Sequence, residues 1–434
     1  MNKVYTVKEF DVFTRDVNVE DSRYHALPKA TFNQLEQFIL TNKPDISTDA
    51  DIMDFMSISS KRGIGKIIRI KNYVGIITLS DGTVIEILPK LYSKDRNDSK
   101  DETKRIFLDM LKFSLNLPYK TFKISDVHIE KNNILEIFIR MFIDQIYVLV
   151  KRGLKSAYIE HQDNEFFLKG KLNFSQHIKY NFAHQERFYI EYDIFNVNRP
   201  ENKLIKSTLQ FLRRVSSNRK NKKDISILLT SFDEIDLAIN VEQEFSKVTL
   251  DRNIKEYKTI LSWCSIFLRK TSFTTFSGQG VAYALLFPME KIFESYIAGQ
   301  LRKALDLDLY SMKTQDRSFH LYESPNRFLL KPDIVVYKDD RPVVVDTKWK
   351  ILKNQPFQNY GISQADMYQS YAYHKKYDAN TVILLYPWTP SFADLQEQIV
   401  YASHDQVTVR IAFVDLTDIK QSIHELYHLI DKYM

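Results

Sequence analysis

The stretch 331–350 reads Lys331-Pro332-Asp333-Ile334-Val335-Val336-Tyr337-Lys338-Asp339-Asp340-Arg341-Pro342-Val343-Val344-Val345-Asp346-Thr347-Lys348-Trp349-Lys350. Two apolar, β-branched runs flank a polar turn at Asp339-Asp340. A turn centred there pairs Lys338 with Arg341 and Tyr337 with Pro342, and sets Asp333 opposite Asp346. Directly opposed strand residues have Cβ atoms about 4.5–5.5 Å apart, and like charges so placed destabilise a hairpin. A divalent cation between the two carboxylates removes the conflict, and hard oxygen ligands suit Mg2+. Lys348 follows Asp346 by two positions, so its side chain emerges on the same face. An ammonium beside a carboxylate–metal site orients or deprotonates an attacking water and offsets phosphate charge. The chemistry these residues point to is metal-assisted phosphodiester hydrolysis. The same residues also fit a surface hairpin with charged ends.

Two helical patterns must bring further groups to this hairpin. The segment 286–305 has apolar positions at Met289, Phe293, Tyr296, Ile297, Leu301 and Leu305, with Glu294 at the margin of that face. A carboxylate there is a candidate third ligand or holder of a metal water. The segment 363–377 opens on Ser363 as N-cap, with Asp366 as a capping-box-like partner. It carries Gln369 and Tyr373 four residues apart on one face, candidates to support the site. An ordinary amphipathic helix with a Tyr-rich core edge reads equally well.

The elements around these segments make an α/β pattern. Runs 334–337 and 343–345 are strands, 381–386 is a continuous apolar strand of the kind buried on both faces, 407–414 is another strand, and 418–434 is a closing amphipathic helix. Upstream the chain reads as β-rich to about residue 95. The runs 73–79 and 83–88 are split by the hairpin signal Ser80-Asp81-Gly82, and Pro89 ends the second. Residues 45–54 read as a loop leading into a short helix, and 92–104 as a charged linker or exposed helix start. Helices are expected at 104–115 and 131–152, β structure over 154–195, and helices over 202–270. The basic run 213–223 reads as a solvated loop rather than a phosphate contact. The expected division is 1–120, 121–275 and 276–434.

The chain has 434 residues, enough for two or three domains. Its 61 basic and 55 acidic residues leave a formal charge of +6, which permits a polyanionic partner without requiring one. The single cysteine, Cys264, excludes an intrachain disulfide and a zinc knuckle, and reads as a small buried residue beside Trp263. Glu136, Arg140 and Asp144 interrupt the most apolar stretch, 134–150, which argues against a membrane span. With no signal-peptide pattern at the start, the expectation is a cytoplasmic protein.

The order Glu294, Pro332-Asp333, Asp346-Thr347-Lys348, Gln369 and Tyr373 resembles the PD-(D/E)xK nuclease core. More narrowly, the chain resembles the McrC family, the nuclease subunit of McrBC-type modification-dependent (5-methylcytosine) restriction systems. Met289-Glu290-Lys291-Ile292-Phe293-Glu294 is similar to that family's Met-x-x-x-Phe-Glu helix, and Asp346-Thr347-Lys348-Trp349-Lys350 to its Asp-Thr-Lys-aromatic-Lys strand. Val74-Gly75-Ile76 with Ile85-Glu86-Ile87-Leu88-Pro89-Lys90 resembles its amino-terminal signature. Leu168-Lys169-Gly170-Lys171-Leu172 resembles its Leu-Arg-Gly-Arg-Leu motif with Lys for both Arg, and Asn198 to Lys206 its Thr-Pro-x-Asn-Arg-x-Leu-Lys segment.

The resemblance implies a multidomain fold. A carboxy-terminal restriction-endonuclease-like domain, a mixed sheet flanked by helices, would follow a β-rich amino-terminal domain and a largely helical middle region. It implies an antiviral endonuclease that cuts double-stranded, cytosine-modified DNA with Mg2+, or Mn2+ in its place. Asp333, Asp346 and Glu294 would hold the metal, Lys348 would act on the nucleophile, and Gln369 and Tyr373 would support them. It also implies an McrB-like AAA+ GTPase hexamer as partner, contacted by the amino-terminal part and stimulated by this chain. The chain has no P-loop of its own: in Gly63-Ile64-Gly65-Lys66-Ile67, Ser60 stands where a first Gly belongs and Ile67 where Ser or Thr does, so the segment reads as a turn. Two other readings remain open, a non-catalytic activator of an AAA+ GTPase ring and a stand-alone PD-(D/E)xK repair nuclease.

Overall fold

A computed structural model describes residues 3–41, 55–91, 100–114, 133–248, 257–269, 275–278, 281–339, 341–393 and 398–434. The readings made for 45–54, for 92–99 and for Asp340 lie outside the described residues. The chain forms two compact units, Met1–Ile134 with Phe276–Met434, and Leu135–Thr275. The first draws on both ends of the chain. Its sheet includes, in order, Val4–Lys8, Val84–Leu88, Tyr73–Leu79 and Val281–Pro288. The segments expected at 1–120 and 276–434 therefore share a sheet. The cause is the apolar run ending in Leu285-Leu286-Phe287, fully buried as a strand rather than the start of a helix. The helix begins only after Pro288, at Met289–Ala304.

The expected hairpin Tyr73–Leu79 and Val84–Leu88 is present, with Thr78 opposite Val84 and Gly75 opposite Ile87. On its other edge Gly75 pairs with Leu286. A Cβ at Gly75 would lie 2.0 Å from the Leu285 carbonyl oxygen, and the backbone there has φ +137°. Only glycine lets the two strands approach so closely. A second sheet runs Tyr24–Leu27, Val12–Arg15, Gly65–Ile70, Met56–Lys61. The Gly63 segment turns between its last two strands, as expected. The helix Lys29–Thr41 buries Phe32, Leu35 and Phe38 in one core with Phe13, Ile68, Ile77 and Ile85.

The remaining sheet of this unit has the order Ser311–Thr314, Ile334–Lys338, Arg341–Thr347, Thr381–Pro387, Thr408–Val414, Val400–Ala402. It is mixed: the three strands Arg341–Thr347, Thr381–Pro387 and Thr408–Val414 run parallel, and the others antiparallel. Every residue of Thr381–Pro387 is buried, as a parallel strand covered on both faces requires. The helix Gln364–Tyr377 packs Tyr373 and Tyr377 against Val344, Val382 and Leu384.

The second unit is described by itself. Helices Ile134–Arg152, Pro200–Val215, Arg219–Thr230, Val241–Lys247 and Tyr257–Leu268 accompany a small antiparallel sheet, Ala157–Glu165, Phe188–Asn196 and Lys171–Leu172. A short helix, Phe174–Asn181, interrupts the expected β region, capped by the Asn173 side chain on the Gln176 N–H. The basic run is mostly helical; the break between Val215 and Arg219 is closed by Glu136, which accepts from Ser216, Ser217, Asn218 and Asn221. Gly170 sits at φ +72° with the Glu191 carbonyl oxygen 2.4 Å from where a Cβ would be. Cys264 is buried beside Trp263, and burial pushes its thiol up to about 12. Among the described residues no helix is long and apolar enough to cross a membrane.

Gly75→Ala should lower stability by roughly 2–4 kcal/mol, through both strain and clash. Gly63→Ala, also at positive φ (+84°) but with open space around it, should cost clearly less. Thermal melting of both variants checks the difference.

Candidate active site

The hairpin register is the one the turn predicts: Lys338 pairs with Arg341, Tyr337 with Pro342 and Ile334 with Val345. One step further along the same register stand Asp333 and Asp346. Asp339, at φ +55°, supplies the left-handed residue that a tight turn needs.

Asp333 is held from both sides. Its Oδ2 accepts from the Thr347 N–H at 2.8 Å and the Thr347 hydroxyl at 2.7 Å, and its Oδ1 accepts from Gln315 Nε2 at 3.0 Å. Gln315 Nε2 also donates to Glu294 Oε1, so one amide links the helix carboxylate to the hairpin carboxylate. Gln315 follows the edge strand Ser311–Thr314, has φ +50°, and its own N–H bonds the Asp333 carbonyl at 2.9 Å. No pattern in the sequence marks Gln315 beyond its place shortly before the hairpin.

Asp346 is 2% exposed. Its Oδ2 pairs with the Lys348 ammonium at 2.6 Å. Lys348 Nζ also donates to Gln369 Oε1 at 3.0 Å, and Gln369 Nε2 donates to the Tyr373 hydroxyl at 2.8 Å. Ser363 caps its helix on the Asp366 N–H as expected. The Asp366 carboxylate, however, turns to Lys350 at 2.7 Å and stands 3.9 Å from Lys348. Thus all six residues singled out in the sequence, Glu294, Asp333, Asp346, Lys348, Gln369 and Tyr373, fall in one connected cluster, joined by Gln315, Thr347 and Asp366.

The electrostatics follow from burial and crowding. Burial, then the neighbouring Asp333, pushes Glu294 up to about 7. Burial and Asp333 likewise push Asp346 up to about 6 against the pull of Lys348. Asp333 is raised by burial, opposed by its Thr347 bonds. For Lys348 burial acts to lower the pKa, but the surrounding carboxylates outweigh it and the ammonium is held above its usual range. Tyr373 is raised, by burial first and then by Asp346 and Asp333.

These features suit a divalent cation. Asp346 is buried against the Lys348 ammonium, and the neighbouring carboxylates raise the affinity of Asp346 and Glu294 for positive charge. Among the described residues no three His, Cys, Asp or Glu groups stand close enough to surround one ion. Mg2+ asks for less, since one or two carboxylates with waters and a substrate phosphate complete its shell.

A raised carboxyl pKa means that the fold holds the proton more tightly than the unfolded chain does. The carboxyl of Asp346 therefore favours folding below the usual carboxylate range, and that contribution is lost as pH rises through about 6. Relative to Asp346→Asn, which does not titrate there, the native chain should lose thermal stability between pH 4 and pH 7 in a chelator. Paired melting curves across that range check the sign.

The model of a family described as McrBC 5-methylcytosine restriction system component matches residues 68–387. A solved chain from a refined half-complex of a tetradecameric assembly of Thermococcus gammatolerans McrB AAA+ hexamers with bound McrC is similar at 20% identity, with a TM-score of 0.69 over 99% of this chain and 100% of that one. A chain from the cryo-EM structure of the Thermococcus gammatolerans McrBC complex is similar at 20% identity and a TM-score of 0.51, over 70% of this chain and 89% of that one. At such identity these likenesses speak to the fold. No curated protein sequence matches. The family model spans both the amino-terminal hairpin and the carboxylate cluster, and this chain belongs to the McrBC 5-methylcytosine restriction system component family.

Proposed function

We propose that this chain is the Mg2+-dependent endonuclease subunit of a McrBC-like restriction complex, with a PD-(D/E)xK catalytic core at Glu294, Asp333, Asp346 and Lys348. It cleaves double-stranded, cytosine-modified DNA in the cytoplasm as part of antiviral defence, and works with an McrB-like AAA+ GTPase hexamer whose GTP hydrolysis it stimulates. The observation that carries this reading is the buried Asp346 carboxylate, 2.6 Å from Lys348 Nζ and one step beyond the Ile334–Val345 pair of the hairpin, where Asp333 stands on the facing strand. The partner follows from family membership and from the assemblies that the similar solved chains come from.

Asp333 and Asp346 would hold Mg2+, or Mn2+ in its place, with Glu294 reaching the ion through a water. When bound, the ion supplies a lowered pKa for water and charge stabilisation for the phosphate. Lys348 is held protonated by the carboxylates around it, so it orients the attacking water and offsets phosphate charge rather than taking the proton. Gln369 fixes the Lys348 ammonium, and Tyr373 fixes Gln369. Gln315 donates to both Glu294 and Asp333, so one amide holds the two carboxylates beside each other.

Asp346→Ala should lower DNA cleavage by the reconstituted complex on the order of 10³-fold while leaving GTPase stimulation intact. Survival of cleavage would move the chain to the activator role, and efficient cutting by the purified chain without partner or GTP would make it a stand-alone nuclease. Cation binding requires that carboxyls held up at about 6 and about 7 lose their protons. The rise in melting temperature on adding Mg2+ without DNA should therefore be larger at pH 8 than at pH 5.5, and should vanish in Asp333→Ala.

A further inference from the structure

Trp349 follows the catalytic lysine and is itself buried, at 6% exposure. Its indole N–H does not bond to anything in the catalytic cluster. It donates to both carboxylate oxygens of Glu9, at 3.0 and 2.9 Å, across a sequence separation of 340 residues. Glu9 is 1% exposed and lies just past the strand Val4–Lys8. It is pinned in turn: its N–H bonds the Leu88 carbonyl at 3.0 Å, and its Oε1 accepts from the Lys90 N–H at 2.7 Å. On its other side the Trp349 ring meets Phe293, with ring centroids 5.2 Å apart. Phe293 immediately precedes Glu294 on its helix. The backbone on either side of the indole is also fixed: Lys348 N–H bonds Leu385 O at 2.9 Å, and Lys350 N–H bonds Lys348 O at 3.0 Å.

We propose that Glu9 and Trp349 are a positioning pair, through which the amino-terminal sheet sets the placement of Lys348 and Glu294 for catalysis. The proposal rests on the nuclease reading of the site. Neither residue touches the reacting atoms. A buried, doubly accepted indole is a costly arrangement if its only task is to fill space, since an apolar ring would do that without burying a carboxylate. What the bidentate bond adds is direction. It fixes the rotation of Trp349, and with it the Lys348 backbone on one side and the Phe293 ring on the other. Small displacements of groups at a reacting centre are expensive, and supporting residues of this kind set the geometry that catalysis uses.

The test uses the full chain assembled with its GTPase partner, with methylated duplex DNA varied to separate kcat from KM. Trp349→Phe removes the N–H but keeps a ring against Phe293, and should lower kcat roughly 10- to 100-fold with KM changed less than about twofold. Glu9→Ala should do the same, and the double variant should be no worse than either single one, because the two act as one unit. Glu9→Gln, which keeps an acceptor for the indole, should recover part of the loss. Unchanged kcat in Trp349→Phe, or losses that multiply in the double variant, would overturn the proposal. Should Glu9→Ala fail to fold, Trp349→Phe alone decides. Asp346→Ala in the same assay separates the two claims. If it abolishes cutting while Trp349→Phe leaves kcat intact, the nuclease reading stands and the positioning pair falls. If Asp346→Ala still cuts, both fall.

Discussion

The constraint on which the site depends is the register of one hairpin. Side chains alternate along a strand, so a slip of one residue would send Asp346 and Lys348 to the opposite face of the sheet and separate them from Asp333. The tight turn after Lys338 prevents that slip, and the buried valines on both strands reinforce it. The parallel partner Thr381–Pro387 then locks the second strand at the centre of its sheet, with Asp346 aligned to Leu384. A carboxylate cannot be kept dry and ionisable on a loose edge. Here it sits on the strand flanked by both neighbours, where backbone hydrogen bonds hold position and apolar residues exclude water.

That rigidity brings an electrostatic conflict. Three carboxyls and one ammonium share a poorly solvated volume, and burial with mutual repulsion raises the proton affinity of Asp346 and Glu294. Carboxyls perturbed in this way cluster where chemistry uses them. The surrounding residues contain the strain: Thr347 clamps Asp333, Gln315 joins it to Glu294, and Asp366 with Gln369 steadies Lys348.

Much of this was legible in the sequence because the informative signals were local. A charged turn between β-branched runs specifies a hairpin and its register. Ser363 announces a helix start, and the spacing of Gln369 and Tyr373 places both on one face. Long-range pairing was less legible. The run ending in Leu285-Leu286-Phe287 has no clear period, so nothing local distinguished a buried strand from a helix. Gln315 lies in irregular backbone, where periodicity carries no information. The bond from Glu9 to Trp349 joins opposite ends of the chain, beyond the reach of any pattern read within a window. The helix Phe174–Asn181 is hidden for another reason: its exposed Phe174, Ile178 and Tyr180 look like strand residues, although Asn173 is a legible cap.

The pairing of Gly75 with Leu286 also bears on how the chain is made. As the ribosome extends the polypeptide, the strand Tyr73–Leu79 is synthesised long before its partner Val281–Pro288. Until that partner emerges, its apolar edge lies open to any other extended chain, and contacts this distant in sequence form slowly. The whole second unit, Leu135–Thr275, is synthesised in the interval. The cost of closing a loop grows only slowly with its length, so this insert postpones the pairing more than it weakens it.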